Sequence, residues 1–367
     1  MLLQLAFLLQ AHALRAPHTY GARLAPRHAT LDSVVTGCGA SRPSTRLSNE
    51  EISSVVDTSD EWIATRTGIR ARRLLQPEES LADHAATAGK IALRRSGCRP
   101  EDVGLVIVAT STPEDMFGDA PNVAQQCGCH NAVAFDMTAA CSGFLFALIT
   151  AAQGITAGSY EAALVVGADA LSRWVDWDDR NTCILFGDGA GAVVLEKGSQ
   201  GLLGFALKSD GAGREKLALP YAGAARTLVY GKRVTLPVGR PMVMAGRDVY
   251  VFATRKVPEV LEAALADAQL TVQDVDWFLL HQANVRILES VASRLGVDMA
   301  KVLVDLDESG NTSAASIPLA LDAALSRGQV KPGQVIACAG FGAGLSWGAA
   351  IFRWGGAEGG GDAVRAS

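Results

Sequence analysis

The sequence predicts an α/β protein built from two similar halves, and two recurring landmarks predict it. Residues 92–110 read as the end of an amphipathic helix, a Pro-Glu-Asp turn and an apolar strand, Val-Gly-Leu-Val-Ile-Val-Ala. Residues 264–281 repeat that order as a helix end, a Val-Gln-Asp turn and the strand Trp-Phe-Leu-Leu, which stops at His281. The second landmark, Phe186-Gly187-Asp188-Gly189-Ala190-Gly191, returns as Phe341-Gly342-Ala343-Gly344, each time ahead of an apolar strand. Strands that are apolar along their whole length need cover on both faces, which helices on either side of a sheet provide. Two landmarks in the same order mark a duplication, with halves spanning 31–200 and 201–355 and a division near Gly201.

The elements outside this repeat carry their own signals. Residues 1–13 form a short apolar run ending in Ala-His-Ala, which has the pattern of a secretory signal and is too short to span a bilayer. Residues 14–30 carry Arg15, Arg23 and Arg27 among Ser, Thr, Ala and Pro, and no acidic residue precedes Asp32, a composition that suits an organellar transit peptide. A two-part leader of this kind, 1–30, points to a plastid bounded by extra membranes; a mitochondrial leader or a plain secretory signal are the alternatives. Residues 199–238 are rich in Gly and short strands, as a connection carrying hairpins would be. The segment 356–367, with its Gly-Gly-Ala-Glu-Gly-Gly-Gly lead-in, reads as a disordered tail.

Bulk composition narrows the function classes. A chain of 367 residues, 49% hydrophobic with mean hydropathy +0.19, buries a large core. A net charge of -5 with 19% charged residues leaves no basic face for nucleic acid, so an acidic partner would need a local patch. The seven scattered cysteines read as reduced thiols, since a chain this long needs no stapling. Cys127 and Cys129 form a C-x-C pair before His130, but without a second ligand pair they fit two half-buried thiols at a helix end better than a metal site.

Removing the leader leaves only His84, His130 and His281 as histidines. His281 follows a buried strand, where open α/β sheets place ligands and catalytic groups. His84 and His130 fit ordinary surface or capping positions. Cys141 ends the apolar stretch 132–140 and opens the helical stretch 141–155. Backbone N–H groups and the macrodipole at such a helix start would lower the thiol pKa from about 8.5. An inert buried thiol looks the same in sequence. Asn311 sits in a Gly-Asn turn ahead of a further helix, where it would be a cap or a donor to a negative oxygen.

Taken together, Asp-Met-Thr-Ala-Ala-Cys141-Ser-Gly-Phe, His281-Gln-Ala-Asn-Val-Arg-Ile and Gly-Asn311-Thr-Ser-Ala-Ala-Ser resemble the Cys, His and Asn motifs of the β-ketoacyl-acyl-carrier-protein synthase III family. The resemblance runs from about Val34 to Trp354 and includes the segments 56–69, 186–195 and 340–348. It implies a thiolase-like fold in layered α-β-α-β-α order, a homodimer, and a metal-free, cofactor-free acyltransferase that joins acetyl-coenzyme A to malonyl-acyl-carrier protein. It casts Cys141 as the acyl acceptor and His281 and Asn311 as donors to the enolate, with the backbone N–H groups of Cys141 and Ala343 as an oxyanion hole. Relatives often have Gly at the Ala343 position. It places Thr58, Trp62, Arg66, Arg180, Gly246 and Asn284 around coenzyme A, and Gln282, Ala283, Asn284, Val285 and Arg286 against the acyl-carrier protein. Phe117 matches an aromatic that floors the partner protomer's acyl pocket, and Arg247 stands where many relatives carry a small polar residue. Elongating synthases with Cys-His-His and thiolases with Cys-His-Cys are disfavoured by Asn311. A polyketide-type enzyme using a longer primer or a coenzyme A-bound extender, and a non-catalytic carrier-binding homologue, are the remaining alternatives.

Overall fold

The computed structural model describes residues 31–227, Tyr230 and 233–356. The leader expected at 1–30, and the tail beyond Gly356, lie outside the described residues. In chain order the first half runs β1 (Leu31–Ser41), β2 (Thr45–Ser48), α1 (Asn49–Ile52), α2 (Asp60–Thr67), β3 (Ala71–Leu74), α3 (Leu81–Ser96), β4 (Val103–Ala109), α4 (Ala120–Cys127), β5 (Val133–Met137), α5 (Gly143–Thr156) and β6 (Ala162–Ala170). The 22-residue β7 (Asp188–Ser209) follows, then β8 (Leu217–Ala218), β9 (Tyr221–Thr227), β10 (Arg233–Gly239) and β11 (Val243–Met244). The second half continues with α6 (Gly246–Asp267), β12 (Trp277–Leu280), α7 (Val285–Leu295), α8 (Leu306–Ser309), α9 (Ser316–Ser326), β13 (Val335–Gly342) and β14 (Ser346–Arg353).

Both copies of the predicted helix, turn and strand are present, as α3 to β4 and α6 to β12. Local chemistry delimits them: Ser80 caps α3 through the Asp83 N–H, and Gly97 closes it at φ 74°. Strand alternation then assigns the two faces of each sheet to different helices. In β4, Leu105, Ile107 and Ala109 join one apolar cluster with α5 and α9, while Val106 and Val108 join another with α3 and α4. In β13, Ile336 and Cys338 meet the α5 and α9 cluster, while Val335, Ala337 and Ala339 face α6 and α7. The two wings of one eight-stranded sheet are thus enclosed by three helical layers, in the order α-β-α-β-α.

The strand order is β12-β13-β14-β7-β6-β4-β5, with β1 also paired to β7. The early part of β7 pairs antiparallel with β1 and β6, and its last part, Leu202 to Ser209, with β14. The predicted division at Gly201 therefore falls inside one continuous strand shared by both halves. A side chain there would stand 2.1 Å from the Ser33 carbonyl, so glycine is what lets β1 cross at this point. The hairpin expected in the connection is β9 with β10.

The middle layer is the most deeply buried. Leu145 and Ile149 of α5, and Ile317 and Leu321 of α9, are at most 1% exposed. Truncating Leu145 to Ala should lower unfolding free energy by about 2–5 kcal/mol, because close packing on both sides prevents the site from collapsing. Urea titration followed by circular dichroism measures that loss.

Candidate active site

The two middle-layer helices start at the same place, and that brings the predicted site together. Cys141 lies in a 3₁₀ turn, Ala140–Ser142, between β5 and α5. Ala140 before it holds φ 48°, an uncommon conformation for a residue with a side chain. His281 follows the last residue of β12, and its N–H is held by the Ala339 carbonyl at 2.8 Å. Asn311 is pinned through its own backbone to Leu185 and Gly187 of the first half, at 2.8 and 3.1 Å. All three line one cavity of about 550 Å³ with Phe341 and Ala343 at the end of β13. Ala343 is not among the positive-φ residues, so its backbone is ordinary for an alanine. A side chain at Gly342 would stand 2.6 Å from the Cys141 nitrogen, so the strand end lies directly against the cysteine turn.

Each polar group is fixed by a neighbour. The Asn311 Oδ1 accepts from the Ser313 N–H at 2.9 Å, which leaves the donor end of the amide for the cavity. His281 Nδ1 is 2.6 Å from Ser316 Oγ, which also takes the Gln282 N–H at 3.4 Å. When the Ser316 hydroxyl is the donor of this bond, the imidazole proton stands on Nε2. Burial pushes the His281 pKa down to about 3, so the ring is neutral at physiological pH. The Phe341 ring stands edge-on at 5.3 Å.

The expectation of a lowered thiol pKa is corrected. Burial pushes Cys141 up to about 12, the Asp169 charge adds to the rise, and the Ser313 hydroxyl, 3.3 Å from Sγ, acts against it. Helix α5 begins at Gly143, so the sulfur precedes the first helical residue, and the residue is buried. Desolvation of the thiolate outweighs the helix start. Cys127 and Cys129, expected to be half-buried, are fully buried at the end of α4, and burial raises both thiols.

Further out, the cavity is lined by Trp62 and Arg66 of α2, Gly246, Arg247 and Tyr250 of α6, and Ala283 and Asn284 ahead of α7. The guanidinium carbons of Arg66 and Arg180 lie 4.6 and 5.1 Å from the Trp62 ring centroid, both within cation–π reach. Arg180 also donates to the Asp57 carbonyl at 2.8 Å, and the buried Thr58 Oγ1 has no hydrogen-bond partner. Neither Arg180 nor Thr58 touches the cavity itself.

The stretch 282–286 divides. Asn284 caps α7 through the Arg286 N–H, Val285 packs near Gly68, and the exposed Arg286 donates to the Thr65 carbonyl at 3.2 Å. Gln282 does not belong on a docking surface. It is 2% exposed, its amide donates to the Leu280 and Leu303 carbonyls, and its oxygen accepts from the Asp305 N–H. Phe117 is fully exposed and does not line the cavity of its own chain. Sequence reasoning missed Ser313, Ser316 and Asp169. The two serines lie in the same motif as Asn311, and a signal existed only in their spacing from it.

A cysteine at the head of a central buried helix, with a neutral His and an Asn supplied by the duplicated half, defines a thiolase-like condensing enzyme. Family profiles described as 3-oxoacyl-[acyl-carrier-protein (ACP)] synthase III match residues 135–211, and its C-terminal part matches 265–354. The beta-ketoacyl-[acyl-carrier-protein] synthase III of Nostoc sp. is 56% identical over 326 residues, covering 89% of this chain and 99% of the relative. The crystal structure of the synthase III from Thermus thermophilus superposes with a TM-score of 0.81 at 40% identity, covering 88% of this chain and all of that one. A priming β-ketosynthase of the R1128 polyketide pathway superposes with a TM-score of 0.80 at 35% identity, covering 88% of this chain and 96% of that one. The chain belongs to the β-ketoacyl-acyl-carrier-protein synthase III family.

Neutral burial of His281 has a consequence for stability. A base whose folded pKa is about 3 and unfolded pKa about 6.5 stabilises the fold fully above pH 6.5, and that contribution is lost as pH falls toward 3. Between pH 7 and pH 5 the native chain should lose about 2 kcal/mol more stability than His281→Gln, as the pKa difference converts. Urea midpoints of the two proteins at both pH values give the comparison.

Proposed function

We propose that this enzyme starts type II fatty-acid synthesis by joining the acetyl group of acetyl-coenzyme A to malonyl-acyl-carrier protein. The observation that carries the reading is the convergence of Cys141, His281 and Asn311 on one cavity, in a chain 53–56% identical to eight cyanobacterial synthases of that name. Cys141 sulfur attacks the acetyl thioester, coenzyme A leaves with the thiol proton, and an acetyl-cysteine remains. The backbone N–H groups of Cys141 and Ala343 face the oxyanion of that step.

Malonyl-carrier protein then loses carbon dioxide, and the charge collects on its thioester oxygen as an enolate. His281 Nε2–H and the Asn311 amide are two neutral, fixed donors for that oxygen. A neutral imidazole is the better choice here, because a charged one in this pocket would have to be desolvated. The enolate carbon attacks the acetyl carbon, the C–S bond to Cys141 breaks, and acetoacetyl-carrier protein departs. These steps need no metal or cofactor.

Trp62 and Arg66 present an aromatic face and a guanidinium for the adenine of coenzyme A, with Thr58, Arg180 and Gly246 nearby and Asn284 on the arm. Exposed Arg286, beside Ala283, Asn284 and Val285, is the charge that receives the acidic carrier protein. The unpaired outer edge of β5, with Val133 and Phe135 exposed beside the fully exposed Phe117, supports a homodimer in which Phe117 enters the partner protomer's acyl pocket. Cyanobacterial relatives and the basic, acid-poor leader support a plastid location; a mitochondrial one is the alternative.

The alternative, which the comparisons do not favour, is a polyketide-type enzyme that takes a longer primer or an extender bound to coenzyme A. Radiolabelled acetyl-coenzyme A offered with malonyl-carrier protein, and separately with malonyl-coenzyme A, decides between them. Product with the carrier protein alone is expected; product with malonyl-coenzyme A sinks the assignment. Cys141→Ser should abolish acetyl transfer, whereas His281→Ala and Asn311→Ala should each keep acetylation of Cys141 and slow condensation by about 10²-fold or more, the size of a lost oxyanion donor.

A further inference from the structure

The thiol of Cys141 must be a thiolate twice, as the nucleophile that takes the acetyl group and as the leaving group that releases it. Its sulfur accepts a hydrogen bond from the Ser313 hydroxyl, at 3.3 Å, contributed by the opposite half of the molecule. Ser313 is 2% exposed and holds φ 52°, a left-handed conformation that a serine adopts only at a cost. Its N–H is tied to Asn311 Oδ1, and the next N–H, of Ala314, donates to the buried Asp169 carboxylate at 3.1 Å. Asp169 in turn accepts from Ser111 N–H, Thr112 Oγ1 and Thr110 Oγ1 at 2.8, 3.0 and 3.3 Å. The strained turn is therefore clamped from both sides, and what the clamp delivers is one hydroxyl set between the Cys141 sulfur, 3.3 Å away, and the Asp169 carboxylate, whose pKa it also lowers.

We infer that Ser313 is a further catalytic residue, whose hydroxyl donates the hydrogen bond that stabilises the Cys141 thiolate in both half-reactions. In the first, the S–H bond breaks, sulfur bonds to the acetyl carbon, and the proton ends on the departing coenzyme A sulfur. In the second, the C–S bond breaks with its electron pair on sulfur, Ser313 holds that charge, and the sulfur then takes a proton from water. Asp169 is a positioning residue: its charge opposes the thiolate, so its contribution is the placement of the 313–314 backbone. Burial sets the resting thiol high, and the Ser313 hydroxyl is the largest influence lowering it.

The inference rests on the reading of Cys141 as acyl acceptor, and its test is independent of acyl chemistry. Iodoacetamide labelling of the Cys141 peptide, followed by mass spectrometry from pH 6 to 10, reads thiolate formation directly. Ser313→Ala should react about tenfold or more slowly than the native enzyme at each pH in that range, the size of a lost hydrogen bond to a charged group. Ser313→Gly, which accepts φ 52° without strain, should be equally slow. A Gly variant with the native profile would overturn the inference even if the Ala variant fails to fold, because backbone placement would then suffice. Native enzyme that labels normally yet forms no acetyl adduct would instead count against the acyltransferase reading alone.

Discussion

Everything in this molecule hangs on two apolar helices buried between the two wings of one sheet. Helices α5 and α9 have almost no surface of their own, and each is pinned by side chains from both wings. Their N-terminal ends cannot slide without opening the core, so the residues just ahead of them, Cys141 and the 311–313 turn, are located by the packing of the whole chain. The same packing buries both reactive groups. Burial holds the thiol protonated and the imidazole neutral.

The duplication explains the division of labour. Each half supplies a strand end and a central helix start, yet the two copies are chemically unlike: one brings the sulfur and the other the hydrogen-bond donors. The active site is where equivalent ends of a repeated fold face one another, and the repeat can diverge there because sheet and helix packing elsewhere holds the geometry. Outer elements are then free to specialise, with α2 carrying Trp62 and Arg66 and α6 carrying Arg247 and Tyr250 to the same mouth.

Much of this was legible in the sequence, for physical reasons that differ by element. The layers could be read because β4 and β13 are apolar at every position, which demands helices on both faces. Cys141 and His281 stood out because each interrupts an apolar run at a strand end. Gln282 was misplaced because a polar residue in a motif looks like a surface contact, whereas its three hydrogen bonds are spent on backbone from Leu280, Leu303 and Asp305. The thiol shift was misjudged because a helix start is visible in sequence and the surrounding desolvation is not. Ser313 was passed over since its contact with sulfur joins residues 172 positions apart, across the halves. The boundary near Gly201 lies inside the continuous strand β7, where glycine serves a crossing of strands.

The strand that runs through Gly201 also bears on how the chain is made. Once residue 209 has emerged, the first half has all its strands, but the Leu202 to Ser209 edge still waits for β14, which ends at Arg353. At ordinary translation rates of 5–20 residues per second that interval lasts roughly 7–29 s. Throughout it, the inward face of α5 and an open strand edge are both uncovered on the nascent chain. Synthesis rate, rather than the stability of the finished enzyme, sets how long this protein is open to association with its neighbours.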